Sequence, residues 1–253
     1  PAKSKALNLQ PASDRETVSR ALSETKAMVD LDRIKGQLPL TDFQDVEPSL
    51  KRLKVKADLN ALELGNILLI FTLAQESSRF VEDAEENETL DLAAIETLLD
   101  DLELPDDLYR RLRTSLTYDG EVLDTASADL ARLRHGRLAT EAEIKEKMTA
   151  YTKGKNGQYL SEQIVTIRDD RYVIPVKQEY RYKLGGVVHD QSASGQTLFV
   201  EPAAILPLNN RLQNLLAEER QEIHRVLHEL SLDAREEMEA IKRVAAALSE
   251  LDF

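Results

Sequence analysis

The chain has no cysteine and no tryptophan. Without thiols, disulfide frameworks and thiolate metal sites are excluded, which fits a reducing cytoplasm. Aromatic residues make up only 5%, and the few Gly and Pro concentrate at 36–48 and 154–207. Together with 31% charged residues, this favours long amphipathic helices over a β-sandwich. No apolar run approaches the ~20 residues that span a bilayer, and Pro1-Ala-Lys-Ser-Lys5 lacks the apolar core of a secretory signal. A start on Pro rather than Met reads as a piece of a longer protein. Also missing are G-x-x-x-x-G-K-[ST], G-x-G-x-x-G, C-x-x-C and G-x-S-x-G, so no residue is nominated as catalytic.

The net charge of −13 argues against nucleic acid until it is located. Residues 82–107 hold twelve acids and no Lys or Arg, which accounts for all but one of those charges. Surface fields are screened within about 8 Å at physiological salt, so this run says little about the rest of the chain. Its plain reading is a solvated face, and its sharper one a docking surface for a basic partner.

Hydrophobic spacing divides the chain into a helical core over 1–120, an outgoing helix over 121–152, a β segment over 153–202 and a returning helix over 203–253. In the core, Ser13 and Glu16 form a capping-box pattern opening a helix with Val18, Leu22, Met28, Leu31 and Ile34. Pro48 begins a short second helix. The broad apolar stripe from Ala61 to about Asp83 predicts a helix buried on several sides, with Asp58 or Asn60 as cap. Shorter helices at 91–102 and 106–116 flank Pro105.

Val122, Ala126, Leu130, Leu133, Leu138, Ile144, Met148 and Tyr151 mark a narrow seam on the outgoing helix. Leu208, Leu212, Leu215, Ile223, Val226, Leu230 and their successors to Leu248 mark another, uninterrupted by Gly or Pro. Only a short β unit separates them, so they run antiparallel as a coiled-coil lever. Inside the tip, Ile164–Ile167 and Tyr172–Val176 flank Arg168-Asp-Asp-Arg171 as a hairpin, with Pro175 placing the second strand at an edge or ending it. Val187–His189 and Thr197–Val200 make a second hairpin. The expected fold is mainly α: a helical core bundle plus a long antiparallel lever with a two-hairpin β clamp at its tip.

Candidate chemistry is sparse. His224 and His228 sit one turn apart, but no third ligand accompanies them. His189, Asp190 and Ser192 suggest a triad, yet neighbours in an extended segment point to opposite faces. Ser192-Ala-Ser-Gly195 has two open readings: hydroxyls and amides for a phosphate oxygen, or a tight turn that satisfies itself. Lys153, Lys155, Arg168, Arg171, Lys177, Arg181 and Lys183 interleave with Tyr159, Tyr172, Tyr180 and Tyr182. With Ser192 and Ser194 they are nominated as phosphate contacts. Seven bases against six acids over 153–202 also fit an ordinary mixed surface.

Ile164-Val-Thr-Ile-Arg-Asp-Asp-Arg-Tyr-Val-Ile-Pro-Val-Lys-Gln-Glu-Tyr180 and Gly186-Val-Val-His-Asp-Gln-Ser-Ala-Ser-Gly-Gln-Thr-Leu-Phe-Val-Glu-Pro202 resemble the second bacterial MutS family, the paralogue with a C-terminal Smr nuclease domain. Asn209-Asn210, Glu218-Glu-Arg-Gln-Glu-Ile223 and Gly120-Glu-Val-Leu-Asp124 extend the resemblance, which is specific over 118–232 and compatible over 10–117.

By that resemblance these residues are the core, lever and clamp of a cytoplasmic, homodimeric ATPase and endonuclease. ATP and Mg²⁺ would be held downstream, and no cofactor is expected within this chain. The family's partners are branched DNA, in suppression of recombination, or collided ribosomes that are split and rescued. The domain that carries the stacking Phe of mismatch readers is absent from this family. Beside this stands a reading of another class, a non-catalytic coiled-coil interaction module that docks through its acidic face.

Overall fold

A computed structural model of the chain describes residue 7, residues 13–85 and residues 90–253. The capping-box residues are therefore described, whereas Glu86 and Glu88 of the acidic run lie outside these residues. The chain is mainly helical with one small antiparallel sheet, as its pattern predicts, and divides into two compact units: Pro1–Ala126 with Arg225–Phe253, and Ser127–His224.

In the first unit, helix α1 spans Arg15–Lys35, α2 Glu47–Lys54, α3 Ala61–Glu85, α4 Glu96–Asp100 and α5 Asp106–Ser115. The cap of α1 is Asp14, not Ser13. Its carboxylate accepts the Thr17 amide at 2.8 Å and the Thr17 hydroxyl at 2.7 Å, and these bonds hold it below its ordinary range. The carboxylate offers the first turn a full negative charge, which a serine cannot. Asn60 caps α3 in a true capping box, exchanging bonds with Glu63 at 2.8 and 2.9 Å.

Helix α3 is buried around a wide arc that includes Leu64, Ile67, Leu68, Ile70, Phe71, Leu73 and Ala74. Along α1, Ala27 and Leu31 are buried but Val18, Leu22, Val29 and Ile34 are exposed. The apolar positions expected to face inward there are spread around the helix at 100° per residue, so one packed face admits only some of them.

The returning segment, one helix by its pattern, is two: α7 over Leu206–Glu236 and α8 over Met238–Leu251, broken at Glu237 with φ −103° and ψ 21°. No Gly or Pro signals that break. Within the first unit, Ser231 accepts the Leu59 amide at 2.9 Å, and α8 buries Ile241, Val244, Ala247 and Leu248.

In the second unit, helix α6 spans Ala128–Lys153, seven residues after the expected start at 121. Residues 122–126 are taken up by a β-bridge from Val122 to Leu116 and a short 3₁₀ turn at Asp124–Ala126. Ser127 caps α6 through the Leu130 amide at 2.9 Å.

Helix α6 runs antiparallel to the first part of α7. Ser127 donates to Glu222 and Arg134 to Glu219 at 2.9 Å, while Ile144 and Met148 share a core cluster with Leu208 and Leu212. The buried seam is Leu130, Leu133, Thr140, Ile144 and Met148. Leu138 lies about 140° round the helix from Leu133 and is 57% exposed.

Four strands close that end of the helix pair: β1 Thr166–Arg168, β2 Arg171–Lys177, β3 Val187–Gln191 and β4 Thr197–Glu201, in the order β1-β2-β4-β3, all antiparallel. Asp169 and Asp170, with φ of 50° and 58°, make the left-handed two-residue turn that matches strand twist. The two expected hairpins are joined through β2 and β4, so β2 is an interior strand. Pro175 is tolerated because β1 ends opposite Val173; past it the Pro175 carbonyl accepts the Ser161 amide at 2.9 Å. Ile174, Val176, Leu198 and Val200 pack toward Ile144, Met148, Leu208 and Leu212.

Ile144→Ala is expected to cost about 2–5 kcal/mol in urea unfolding, whereas Leu138→Ala changes stability by less than about 0.5 kcal/mol. Equal effects would mean that the seam does not run through Thr140.

Candidate functional site

The nominated residues all lie in the second unit, and the structure divides them by what their charges already meet. Arg171 opens β2, and its guanidinium is committed: Nη1 donates to both Glu201 oxygens at 2.9 and 3.2 Å, and Nη2 to Asn210 at 2.7 Å. Glu201 is 1% exposed at the end of β4. It also meets His189 Nε2 at 2.6 Å and accepts from Asn209 Nδ2 at 2.7 Å. Asn209 completes the knot by exchanging bonds with the backbone of Tyr172. A carboxylate taken out of water demands such donors.

A change of register on β3 puts His189 into this knot. Val188 pairs with Val200 and Asp190 with Phe199, which leaves His189 as the additional residue. Its neighbour Asp190 accepts instead from Arg168 Nε at 3.1 Å. The two side chains thus have different partners, and Ser192 meets neither of them. The Ser192 hydroxyl accepts the Thr197 amide at 3.1 Å, its own amide donates to the Thr197 carbonyl at 2.8 Å, and Gly195 donates to its carbonyl at 2.8 Å. Ser192 is thereby used within the turn; Ser194, 3.3 Å away, is exposed.

Among the other bases, Arg168 lies 4.1 Å above the Phe199 ring. Lys177 donates to the Gln158 carbonyl at 3.1 Å and lies 6.0 Å from the centre of the Tyr180 ring. Lys153, at the end of α6, Lys155, in the following 3₁₀ turn, and Arg181 and Lys183, between β2 and β3, are exposed. Among the described residues these four have no carboxylate partner. Lys177 also lines an open concavity of about 660 Å³ with Ser161, Gln178, Glu179, Gln196 and Thr197.

Tyr159 and Tyr180 pack against each other at 5.0 Å, and Tyr172 and Tyr180 lean on the core. Of the interleaved tyrosines, Tyr182 is the one that projects, 88% exposed.

The sequence reading missed Glu201, Asn209 and Asn210 as the partners of Arg171. The signal was a carboxylate closing the apolar run Thr197–Val200 just before Pro202, since a buried strand that ends on Glu needs a cation. His228, by contrast, faces Asp58 at 2.9 Å in the first unit. Among the described residues no three His, Asp or Glu side chains gather as metal ligands, and no helix is long and apolar enough to cross a membrane.

Arg171→Ala strips the buried carboxylate of its strongest donor and is expected to cost about 3–5 kcal/mol. Arg171→Ala combined with Glu201→Leu recovers part of that loss, as thermal unfolding of both variants would show. Additivity in the double variant would mean that the pair is not coupled.

No protein-family model matches the chain. Its sequence is 62% identical over all 253 residues to the endonuclease MutS2 of Lactobacillus helveticus and 56% identical over 253 residues to that of Lactobacillus johnsonii. It is 46% identical over 245 residues, 97% of the chain, to that of Latilactobacillus sakei. In each case it covers 31–32% of the relative, so the chain spans about a third of the length of the curated relatives it matches. Along all or nearly all of its length the chain is thus similar to one part of MutS2 proteins, the second bacterial MutS family.

Proposed function

We propose that this chain is the core, lever and clamp part of a dimeric, ATP-driven MutS2 protein of the cytoplasm. Its sheet unit grips nucleic acid through phosphates, either on branched DNA or on the RNA of collided ribosomes. Support comes from the endonuclease name of the relatives and from one observation in the second unit: Lys153, Lys155, Arg181 and Lys183 stand exposed with no carboxylate partner among the described residues. A cation without an internal partner keeps its charge for an external phosphate. The ATPase and nuclease chemistry belongs, on this reading, to other residues of the longer protein.

Arg168 and Lys177 remain in the proposed interface, each with part of its surface open. Arg171 is assigned to holding the sheet together, and its remaining exposure allows at most a peripheral contact. Ser194 is the more accessible of the two turn hydroxyls, and Ser192 contributes by shaping the turn.

The second reading, docking of a basic protein partner, draws on the acidic run. Glu82, Asp83, Asp91, Glu96, Asp100, Glu103, Asp106 and Asp107 are exposed in the first unit, and of these only Asp107 forms an ion pair among the described residues, with Arg110.

Fluorescence anisotropy against branched DNA at several low salt concentrations tests the first reading. Each neutralised phosphate adds about −0.9 to the log–log salt slope. Reversing Lys153, Lys155, Arg181 and Lys183 to Glu is expected to flatten the slope by about that much for every phosphate no longer neutralised. An unaltered slope and affinity would refute the phosphate grip, and binding sensitive only to Gln or Asn replacements in 82–107 would favour the second reading.

A further inference from the structure

We infer that Tyr182 is a stacking platform for an unpaired nucleobase, set between two phosphate-facing cations. The inference rests on the nucleic-acid reading above and specifies its ligand: a strand with bases free to leave the stack, rather than uninterrupted duplex.

Three features carry it. The first is the exposure of the ring. Tyr159 and Tyr180 pack on each other, and Tyr172 and Tyr180 rest on the core, whereas Tyr182 is 88% exposed. An aromatic ring offers a large apolar face whose burial is worth most against another π-surface.

The second is the charge around it. The Arg181 guanidinium carbon lies 5.4 Å from the centre of the Tyr182 ring, close enough for a cation–π contact that orients the ring. Lys183 follows on the other side in sequence and is exposed. From Lys177 to Gly186 there are three bases and one acid, Glu179. Alternation of cation, ring and cation matches the phosphate, base, phosphate repeat of a single strand.

The third is support. The Arg181 amide donates to the Gln178 carbonyl at 3.2 Å and the Lys183 amide to the Tyr180 carbonyl at 2.9 Å, and Leu184 packs on the core. Gly186, at φ +124°, lies so close to β4 that a Cβ there would sit 2.0 Å from the Glu201 carbonyl oxygen. The turn is held at both ends while its middle ring stays in solvent.

Stacking on an aromatic side chain does not depend on which base is offered, because every base has a π-face. The platform therefore selects unpaired over paired nucleotides, not one sequence over another. A duplex keeps its bases in the stack and offers this surface only phosphates.

The test uses the chain and a DNA fork carrying 2-aminopurine, whose emission falls when it stacks, either at an unpaired position beside the branch or inside a paired arm. The chain has no tryptophan, so the probe is read against a weak tyrosine background. At low ionic strength the unpaired probe is expected to be quenched on binding and the paired probe not. Tyr182→Ala should abolish the quench and weaken binding to the fork by about 5- to 100-fold, while Tyr182→Phe keeps both within about twofold. At 88% exposure the side chain is not part of the described core clusters, so its removal is expected to leave the fold intact, which an unchanged circular dichroism melt verifies.

Quenching that survives Tyr182→Ala overturns the platform while leaving the nucleic-acid reading in place. So does an equal drop in affinity for a fully paired duplex, which would make Tyr182 a backbone contact. If the unaltered chain binds neither fork nor duplex, both readings fall, and a protein partner becomes the better explanation of the exposed ring.

Discussion

In the second unit the buried carboxylate of Glu201 is the contact on which the sheet depends. It sits at the end of β4, accepts from Arg171 at the start of β2, meets His189 on β3 and accepts from Asn209 on α7. One side chain thus ties three strands to a helix. Water is excluded there, so the donors must come from the protein and in the right directions. The apolar cluster of Ile144, Met148, Ile174, Val176, Leu198, Leu208 and Leu212 supplies the driving force for packing the sheet on the helices. The polar knot determines how the strands sit within that packing, because a hydrophobic contact tolerates sliding and a bonded carboxylate does not.

The same knot changes how the surface is read. A count of bases over 153–202 treats all seven as equivalent, but ion pairing divides them. Arg171 is used internally, Arg168 is shared with Asp190 and Phe199, and Lys177 is tethered to a carbonyl. What remains outward is a smaller group, Lys153, Lys155, Arg181 and Lys183, accompanied by Tyr182. Net charge describes this surface poorly for a related reason. The acids that dominate it are packed into one stretch of the other unit.

Much of the architecture is legible in the sequence. The broad stripe over 61–83 marks a helix buried on several sides, and Arg168-Asp-Asp-Arg171 marks a hairpin. Apolar spacing of three and four marks the helices on either side of the strands. The misses share a cause. Leu138 and Leu22 satisfy an apolar count but point away from the packed face, and Pro175 belongs to an interior strand because its neighbour stops short. Outward-facing apolar residues and missing strand partners are facts about neighbours, not about local sequence. The nominated interface is legible only as a set of bases, since the acids that claim some of them are up to 30 residues away in the chain.

Most of the elements and the resemblance to the second bacterial MutS family can be read from the chain alone: helical periodicity, turn residues and a run of motif residues are local properties, set by backbone sterics and side-chain type. Tertiary structure alone decided which polar groups are spent on one another. Arg171, His189, Asn209 and Glu201 meet only after strands from two hairpins and a helix have packed, and the energy of a buried charge depends on what surrounds it rather than on its place in the chain.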